Sequence, residues 1–417
     1  MNANALLSTE VGDGLILRAV TSLADVQRYI DLNARVTNEG DIAQRLLHHH
    51  PTTTHADYWL VVDEATGKAV STTCLLPWRF RLDGIALHVA MLEMVVTDPA
   101  YRKRGLVRAQ IEHFHRVVAE RGFDLCIIQG IPYYYRQFGY AYAIDHTPLT
   151  GLAAWQIPAV STEETARYRW RPATVNDVVT LEQLYASAMA QHHVSVERSA
   201  AAWRYLLQHK AHPVRLFEET QSNRTVGYVV PSRSESPFRL YEHAFQDPAA
   251  GLPMLALLKT ASGGELQLAG PISDRLVALA RNLGGMALPV SDQWLWRIPD
   301  VGALLTKLAP RFVQRLQVGG YGDYTGRLCI NLYRSAFWLH IDRGQVRVES
   351  AGFVDASLGA TGGDLDIPPD AFVRLLLGYR PLGMLTDGWP DVRVQPAARD
   401  LIEQLFPTRD AHILMPY

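Results

Sequence analysis

Apolar and polar positions alternate over residues 14–19 (G-L-I-L-R-A), which predicts a strand. Over 21–36 the period lengthens. Leu23, Val26, Tyr29, Ile30 and Ala34 fall on one face of a helix, with Ser22 as its N-cap. Residues 37–50 are polar and end in His48, His49 and His50, which predicts a solvated turn. Segments 58–63, 69–82 and 85–97 are rich in strand formers. The last two are joined by Asp83-Gly84, a two-residue hairpin signal because both turn positions need positive φ. After Gly105, Val107, Ile111, Phe114 and Val118 recur at spacings of four, three and four, one buried face of a helix. Residues 125–129 read as a short apolar strand. The predicted order is β-α-β-β-β-α-β-α around a mixed sheet.

From residue 167 the pattern begins afresh. R-W-R-P-A-T-V-N-D-V-V-T-L-E-Q-L-Y echoes L-R-A-V-T-S-L-A-D-V-Q-R-Y of the first part. Strands follow at 238–245 and 265–269, and helices at 252–260 and 273–283. The connection F-Q-D-P-A-A-G-L-P-M-L echoes V-T-D-P-A-Y-R-K-R-G-L-V, with Asp247-Pro248 against Asp98-Pro99 but without the basic triplet. An internal repeat is expected, its second copy lacking a phosphate-binding turn. From 301 the texture changes to a helix at 304–316 and a meander at 327–332, 336–342 and 345–350, with Arg343-Gly344 at one turn. Short helices follow at 370–377 and 397–406. The chain closes on Ile413, Leu414, Met415 and Tyr417, an apolar tail expected to dock. Domains are expected at 1–150, 151–300 and 301–417. The fold class is α/β (α+β): two tandem mixed sheets flanked by helices, then an α+β domain.

Composition narrows the class. The 417 residues are 48% hydrophobic and 20% charged, a soluble globular balance. Forty basic residues against 42 acidic ones argue against a nucleic-acid-coating protein. Cys74, Cys126 and Cys329 are far apart and sit in apolar runs. They form neither a metal spacing nor a disulfide framework, so a reducing cytoplasm is expected. The first residues lack the basic and apolar regions of a signal peptide. No apolar run approaches the ~20 residues that cross a bilayer. No metal, nucleic-acid or membrane partner is expected.

The chemistry gathers in residues 91–140. There M-L-E-M-V-V-T-D-P-A-Y-R-K-R-G-L-V leads into a helix, then D-L-C-I-I-Q-G-I-P-Y-Y-Y-R-Q-F-G-Y. Arg102, Lys103, Arg104 and Gly105 form a basic turn that opens the helix. Unpaired N–H groups and the dipole make such a terminus an anion site; the plainer alternative is a solvated basic helix start. Cys126 reads as core, and His113 and His115 as surface residues.

The pattern R-x-x-G-x-(G/A) after an apolar strand resembles the acetyl-CoA signature of the GNAT superfamily of N-acetyltransferases. Arg102 and Gly105 match it, and Val107 stands where Gly or Ala is usual. The resemblance implies that the strand before the turn splays from its neighbour. Backbone groups of Val95 and Thr97, with Met94 and Val96 adjacent, would then hold pantetheine. The turn from Arg102 through Lys103, Arg104, Gly105 and Leu106 to Val107 would hold the pyrophosphate of acetyl-CoA, the co-substrate, with no metal.

V-x-x-x-P-x-x-R-x-R-G-L followed by P-x-Y-Y-R-Q-F-G-Y, with D-I-P-P-D-A-F-V-R-L-L-L-G-Y-R-P-L near the end, is similar to the enhanced-intracellular-survival (Eis) acetyltransferases. That resemblance implies two acetyltransferase folds, the second degenerate, a sterol-carrier-like C-terminal domain and a homohexamer. It also implies a primary-amine acceptor such as an aminoglycoside, a polyamine or a lysine side chain. Tyr135, in Y-R-Q-F-G-Y, takes the place of the general acid that protonates the coenzyme A thiolate. The terminal carboxylate of Tyr417 takes that of the general base. Glu93 is a rival base, although strand parity turns it away from Met94. Trp78, Glu39 and Asp41 could border an acceptor pocket, and His412 could line the active site. The alternative is a lipid or hydrophobic-ligand carrier that uses the third domain and keeps a vestigial acetyltransferase fold.

Overall fold

The structure is a computed structural model that describes residues 8–146, 148–209, 213–232, 238–262, 264–290, 292–356 and 362–415. The fold is α/β (α+β), with mixed sheets flanked by helices. Its first part contains β1 (Ser8–Glu10), β2 (Leu15–Ala19), α1 (Leu23–Thr37), α2 (Gly40–His49), β3 (Tyr58–Asp63), β4 (Lys68–Leu82), β5 (Ile85–Thr97), α3 (Leu106–Glu120), β6 (Leu125–Ile128) and β7 (Ala141–Asp145). Strands β1 to β5 pair antiparallel in sequence order, and β6 joins β5 in parallel. Asp83 and Gly84 take φ of 50° and 85° at the β4–β5 turn, the left-handed pair that this hairpin demands.

Ser22 caps α1, its side chain accepting from the Asp25 N–H. The buried face differs from the apolar reading. Leu23 is 81% exposed, while Asp25 and Asn33 are buried beside Val26, Tyr29 and Leu32. Asp25 is matched by Arg18 and Arg28, and Asn33 by the Tyr29 carbonyl and Thr72 Oγ1. These partners are distant or charged, so the apolar period alone does not reveal them. The polar stretch 37–50 is not a solvated turn. It forms α2, which buries Ala43, Leu46 and Leu47, and His50 at its end is buried too. In α3, Ile111, Phe114 and Val118 are buried as expected, but Val117 rather than Val107 completes the face. His113 is a core residue, edge-on to Trp59 at 4.9 Å between ring centroids.

The second part runs β8 (Leu149–Ala153), α4 (Thr162–Ala166), β9 (Tyr168–Pro172), α5 (Val178–Met189), β10 (Val194–Val196), α6 (Ala200–His209), β11 (Arg215–Glu219), β12 (Thr225–Pro231), β13 (Phe238–Phe245), α7 (Gly251–Ser262), β14 (Glu265–Ala269), α8 (Arg275–Asn282), β15 (Met286–Ala287) and β16 (Gln293–Arg297). From β9 to β14, β10 apart, it repeats the element order and pairing of β2 to β6, including a parallel β13–β14 pair; β10 joins β4 of the first sheet instead. The echoed Asp-Pro bends correspond as well. Asp98 accepts from the Ala100 N–H and Asp247 from the Ala249 N–H, each before a short 3-10 turn.

The two sheets exchange strands. β16, from the end of the second part, lies between β6 and β7 of the first sheet. β8, which follows β7, lies between β14 and β15 of the second. Each sheet is therefore completed by the other part of the chain, and the two cannot separate without breaking ladders.

The last part packs α9 (Val301–Val318) against an antiparallel meander of β17 (Gly326–Asn331), β18 (Ala336–Asp342) and β19 (Gln345–Gly352). β20 (Leu365–Asp366), α10 (Pro369–Leu376), α11 (Leu382–Gly388), β21 (Arg393–Val394), α12 (Arg399–Leu405) and β22 (Ala411–His412) follow. α11 was not visible in the apolar pattern, which is short and broken by Gly383 and Gly388.

Candidate active site

The site begins at an irregularity in β5. Met94 takes φ of +54°, and the β4–β5 register shifts between Thr72 and Cys74. An extra residue bulges out and resets the alternation of side chains. Met91, Met94 and Val96 pack into the cluster beneath α1 and α2, whereas Leu92 and Val95 face the cluster under α3. Glu93 therefore does not turn away from Met94 as plain strand alternation would have it. The Glu93 carboxylate lies near Tyr29 and Cys74 of the cluster that holds Met94, and near Tyr135 as well.

Three consecutive hydroxyl residues on β4 support the bulge. Thr73 Oγ1 donates to the Glu93 carbonyl at 3.1 Å, and Thr72 Oγ1 to the Met94 carbonyl at 3.3 Å. The Ser71 hydroxyl lies 2.8 Å from the Val96 carbonyl. All three residues are buried. They supply bonds to carbonyls that an interrupted ladder would leave short of partners. The run S-T-T at 71–73 is the sequence signal of this support.

Beside the bulge, β5 parts from β6. Their parallel pairing covers only Val89–Leu125, Ala90–Cys126 and Met91–Ile127. Past Met91, β5 keeps β4 on one side and has no ladder partner on the other among the described residues. Val95 and Thr97 lie on this open edge, with Met94 and Val96 between and beside them.

The edge leads directly to the basic turn. Asp98 caps the 3-10 turn Pro99–Tyr101, and Arg35 holds Asp98 at 2.6 Å. Lys103 and Gly105 take φ of +64° and +77°. Gly105 is the N-cap of α3 and supplies no side-chain cap, and the first turn contains no acid. The N–H groups that open α3 at Leu106 and Val107 thus face a strongly positive, uncapped terminus. Arg102, Lys103 and Arg104 are exposed around it. Arg104 stacks on Tyr101, and Arg108 on Phe138.

Tyr135 closes the far end of the cleft. It sits in the 3-10 turn Tyr134–Phe138 that follows β6 and is 5% exposed. Tyr134 and Tyr140 meet its ring edge-on, with centroids at 5.2 and 6.2 Å. Gly130, just past β6, forms its floor. Burial pushes the Tyr135 phenol upward, and the nearby Glu93 carboxylate adds to the rise. The group is therefore held protonated, a donor rather than an acceptor of protons.

The other sequence candidates are spread out. Tyr417 lies outside the described residues. The tail before it is docked: Ile413 and Met415 are buried, and with Leu414 they line a cavity of about 560 Å³ together with Gln129, Asp292 and Trp294. Gln129 precedes Gly130 in the chain; neither Gly130 nor Tyr135 lines this cavity. Trp78 lines a different cavity of about 840 Å³ with His50, Arg79, Arg81, Glu197 and Tyr205. Glu39 and Asp41 are not among its walls. His412 is buried beside His192 and the second sheet, not in the first cleft. Cys126 is fully buried, as its place in β6 predicts. No group of three or more potential metal ligands occurs among the described residues, and no helix there is long and apolar enough to cross a membrane.

Residues 17–143 match the acetyltransferase (GNAT) domain family. No curated protein matches the chain. Among solved structures, a probable N-acyltransferase of unknown function from Enterococcus faecalis is similar over 97% of this chain and 100% of its own, at 14% identity and a TM-score of 0.75. A GCN5-related N-acetyltransferase from Anabaena variabilis covers 96% and 99%, at 14% identity and a TM-score of 0.72. Eis1 from Mycobacterium abscessus covers 97% and 100%, at 15% identity and a TM-score of 0.65. At such identities the likeness establishes the fold along nearly the whole chain. The domain match carries the chemistry.

Proposed function

We propose that this chain, an acyltransferase by its acetyltransferase (GNAT) domain, transfers an acetyl group from acetyl-CoA to a primary amine. The observation that carries the reading is the open edge of β5 past Met91, which runs from the bulge at Met94 to the uncapped basic start of α3. Backbone groups of Val95 and Thr97, flanked by Met94 and Val96, bind pantetheine by strand-like hydrogen bonds. Arg102, Lys103 and Arg104 and the N–H groups of Gly105, Leu106 and Val107 bind the pyrophosphate.

The amine nitrogen attacks the thioester carbonyl; the C–N bond forms and the C–S bond breaks. Tyr135 gives its proton to the departing thiolate. As a phenol it carries that proton at neutral pH. The carboxylate of Tyr417 takes the proton lost by the amine, directly or through water. Met415 supports this reach. It is buried in the cavity that Gln129 also lines, and the two remaining residues span up to ~7 Å when extended. Glu93 is the competing base. Its nearness to Tyr135 strengthens that candidacy over the one parity suggested.

The same reading takes the second part as an acetyltransferase fold without its phosphate turn. Its repeated pairing supports this, as does Gly251 at φ −62° where the first part has Gly105 at +77°. The last part is read as sterol-carrier-like, and the assembly as a cytoplasmic homohexamer, both by resemblance to the Eis enzymes. Aminoglycosides, polyamines and lysine side chains are the acceptor classes. The test is coenzyme A release by purified protein against a panel of these amines, with acetyl-CoA binding measured in parallel. A protein that does not bind acetyl-CoA overturns the reading.

A further inference from the structure

The second sheet has a cleft of the same construction as the first. β13 pairs with β14 only at Phe238–Leu266, Arg239–Gln267 and Leu240–Leu268, then continues to Phe245 along β12 alone. The edge of β13 past Leu240 is thus open toward Gly270, as β5 past Met91 is open toward Gly130. In the first part the aromatic turn after Gly130 brings Tyr135 into that corner. In the second, Gly270 is followed by P-I-S-D and then α8, with no aromatic residue to fill the corner.

Side chains from the chain's own end reach into it. The backbone of that end is held by the first sheet: β22 pairs in parallel with β10, itself paired with β4, placing Ala411 against Val194 and His412 against Ser195. The Asp410 carbonyl accepts from the His193 N–H at 2.9 Å, which secures the approach. The His412 ring reaches the end of β14. A β-carbon on Gly270 would lie 3.6 Å from its Cε1. The ring stands 5.2 Å from that of His192 and feels Asp274, His243 and Glu242, which belong to both walls of the cleft. Burial holds its pKa at about 4, so it is a neutral ring at physiological pH, and its Nδ1 has no partner. Its contribution is shape. Beyond this anchor Ile413, Leu414 and Met415 line the cavity of about 560 Å³, to which Gln129 of the first part also contributes.

We infer that the cleft beside the open edge of β13 is a docking slot for side chains of the C-terminal segment, whose backbone is held by β10, and that His412 is the positioning residue that fixes where the last residues reach. A cleft that has lost its phosphate turn is used to aim the tail at the cleft that keeps one. The catalytic consequence rests on the reading of the Tyr417 carboxylate as the base.

The test uses full-length protein carrying His412→Ala or His412→Phe. Amide hydrogen exchange is read over residues 408–417, and kcat and the acetyl-CoA KM are read by coenzyme A release. The Ala variant is expected to speed exchange in the tail by roughly tenfold or more, because local opening no longer breaks the ring's packing. Its kcat falls while KM for acetyl-CoA stays within about twofold, since that site is untouched. The Phe variant, which restores the shape, recovers both. Should His412→Ala not fold, Ile413→Ser removes the next anchor and is expected to loosen the same segment. Unchanged tail exchange in these variants overturns the inference. Faster exchange with unchanged kcat leaves the docking slot standing and overturns the terminal carboxylate as base.

Discussion

Tyr135 rests on Gly130 so closely that a β-carbon at position 130 would lie 2.2 Å from the Cδ2 and Cε2 atoms of its ring. The glycine just past β6 thus belongs with Tyr135 in the candidate site, because it sets the depth at which the phenol sits. Gly130→Ala is expected to displace the ring and lower stability by about 1–3 kcal/mol, the usual effect of overpacking. It should lower kcat while acetyl-CoA affinity holds. Thermal melts and steady-state kinetics check both; an unchanged kcat would show that the ring's depth is immaterial.

The hydroxyl run on β4 gives a second prediction. Thr72→Val keeps the side-chain shape but removes the bond to the Met94 carbonyl and the acceptor for Asn33 Nδ2. Leaving buried polar groups short of partners should cost about 1–3 kcal/mol. A loosened bulge should also raise KM for acetyl-CoA. Urea unfolding and acetyl-CoA titration read the two effects, and a variant with native stability and KM would deny the bulge its support.

These residues show what was legible and what was not. The basic turn, the Asp83-Gly84 hairpin and the paired Asp-Pro bends depend on neighbours in sequence, and each lies where the local pattern put it. The bulge depends on how β4 meets β5, which reversed the inferred direction of Glu93. Asp25, Asn33 and His113 are buried by partners far along the chain or opposite in charge, so apolar periodicity placed them outside. The exchange of β8 and β16 is likewise non-local: the sheet each joins is set by ladders with residues far along the chain.

The basic turn should bind through charge. Arg102→Ala and Lys103→Ala are each expected to weaken acetyl-CoA binding by roughly three- to tenfold at low salt, with a smaller difference at 0.5 M salt as screening grows. Calorimetry at two ionic strengths checks this. Equal losses at both would point to a packing effect instead.

Acid should destabilise the fold through its histidines. Burial holds His50, His113 and His115 at about 4, against an ordinary 6.5, with neighbouring Arg116 and Arg297 lowering the last two further. The unfolded chain binds protons at these sites that the folded chain excludes. Their contribution is therefore complete above pH 6.5 and is lost as pH falls toward 4. Melting temperature should be level from pH 8 to 7 and decline below 6.5, and His113→Leu should make the decline shallower. A level profile down to pH 4.5 would contradict the buried, neutral assignment.

The most direct test of the account is single-turnover acetyl transfer from a preformed acetyl-CoA complex to a reactive amine, compared between the wild-type protein and Tyr135→Phe. The account predicts equal acetyl-CoA affinity and a transfer step slowed by roughly 10²-fold or more in the variant, the scale of a lost general acid. Equal transfer rates, with chemistry shown to be the step observed, would contradict it.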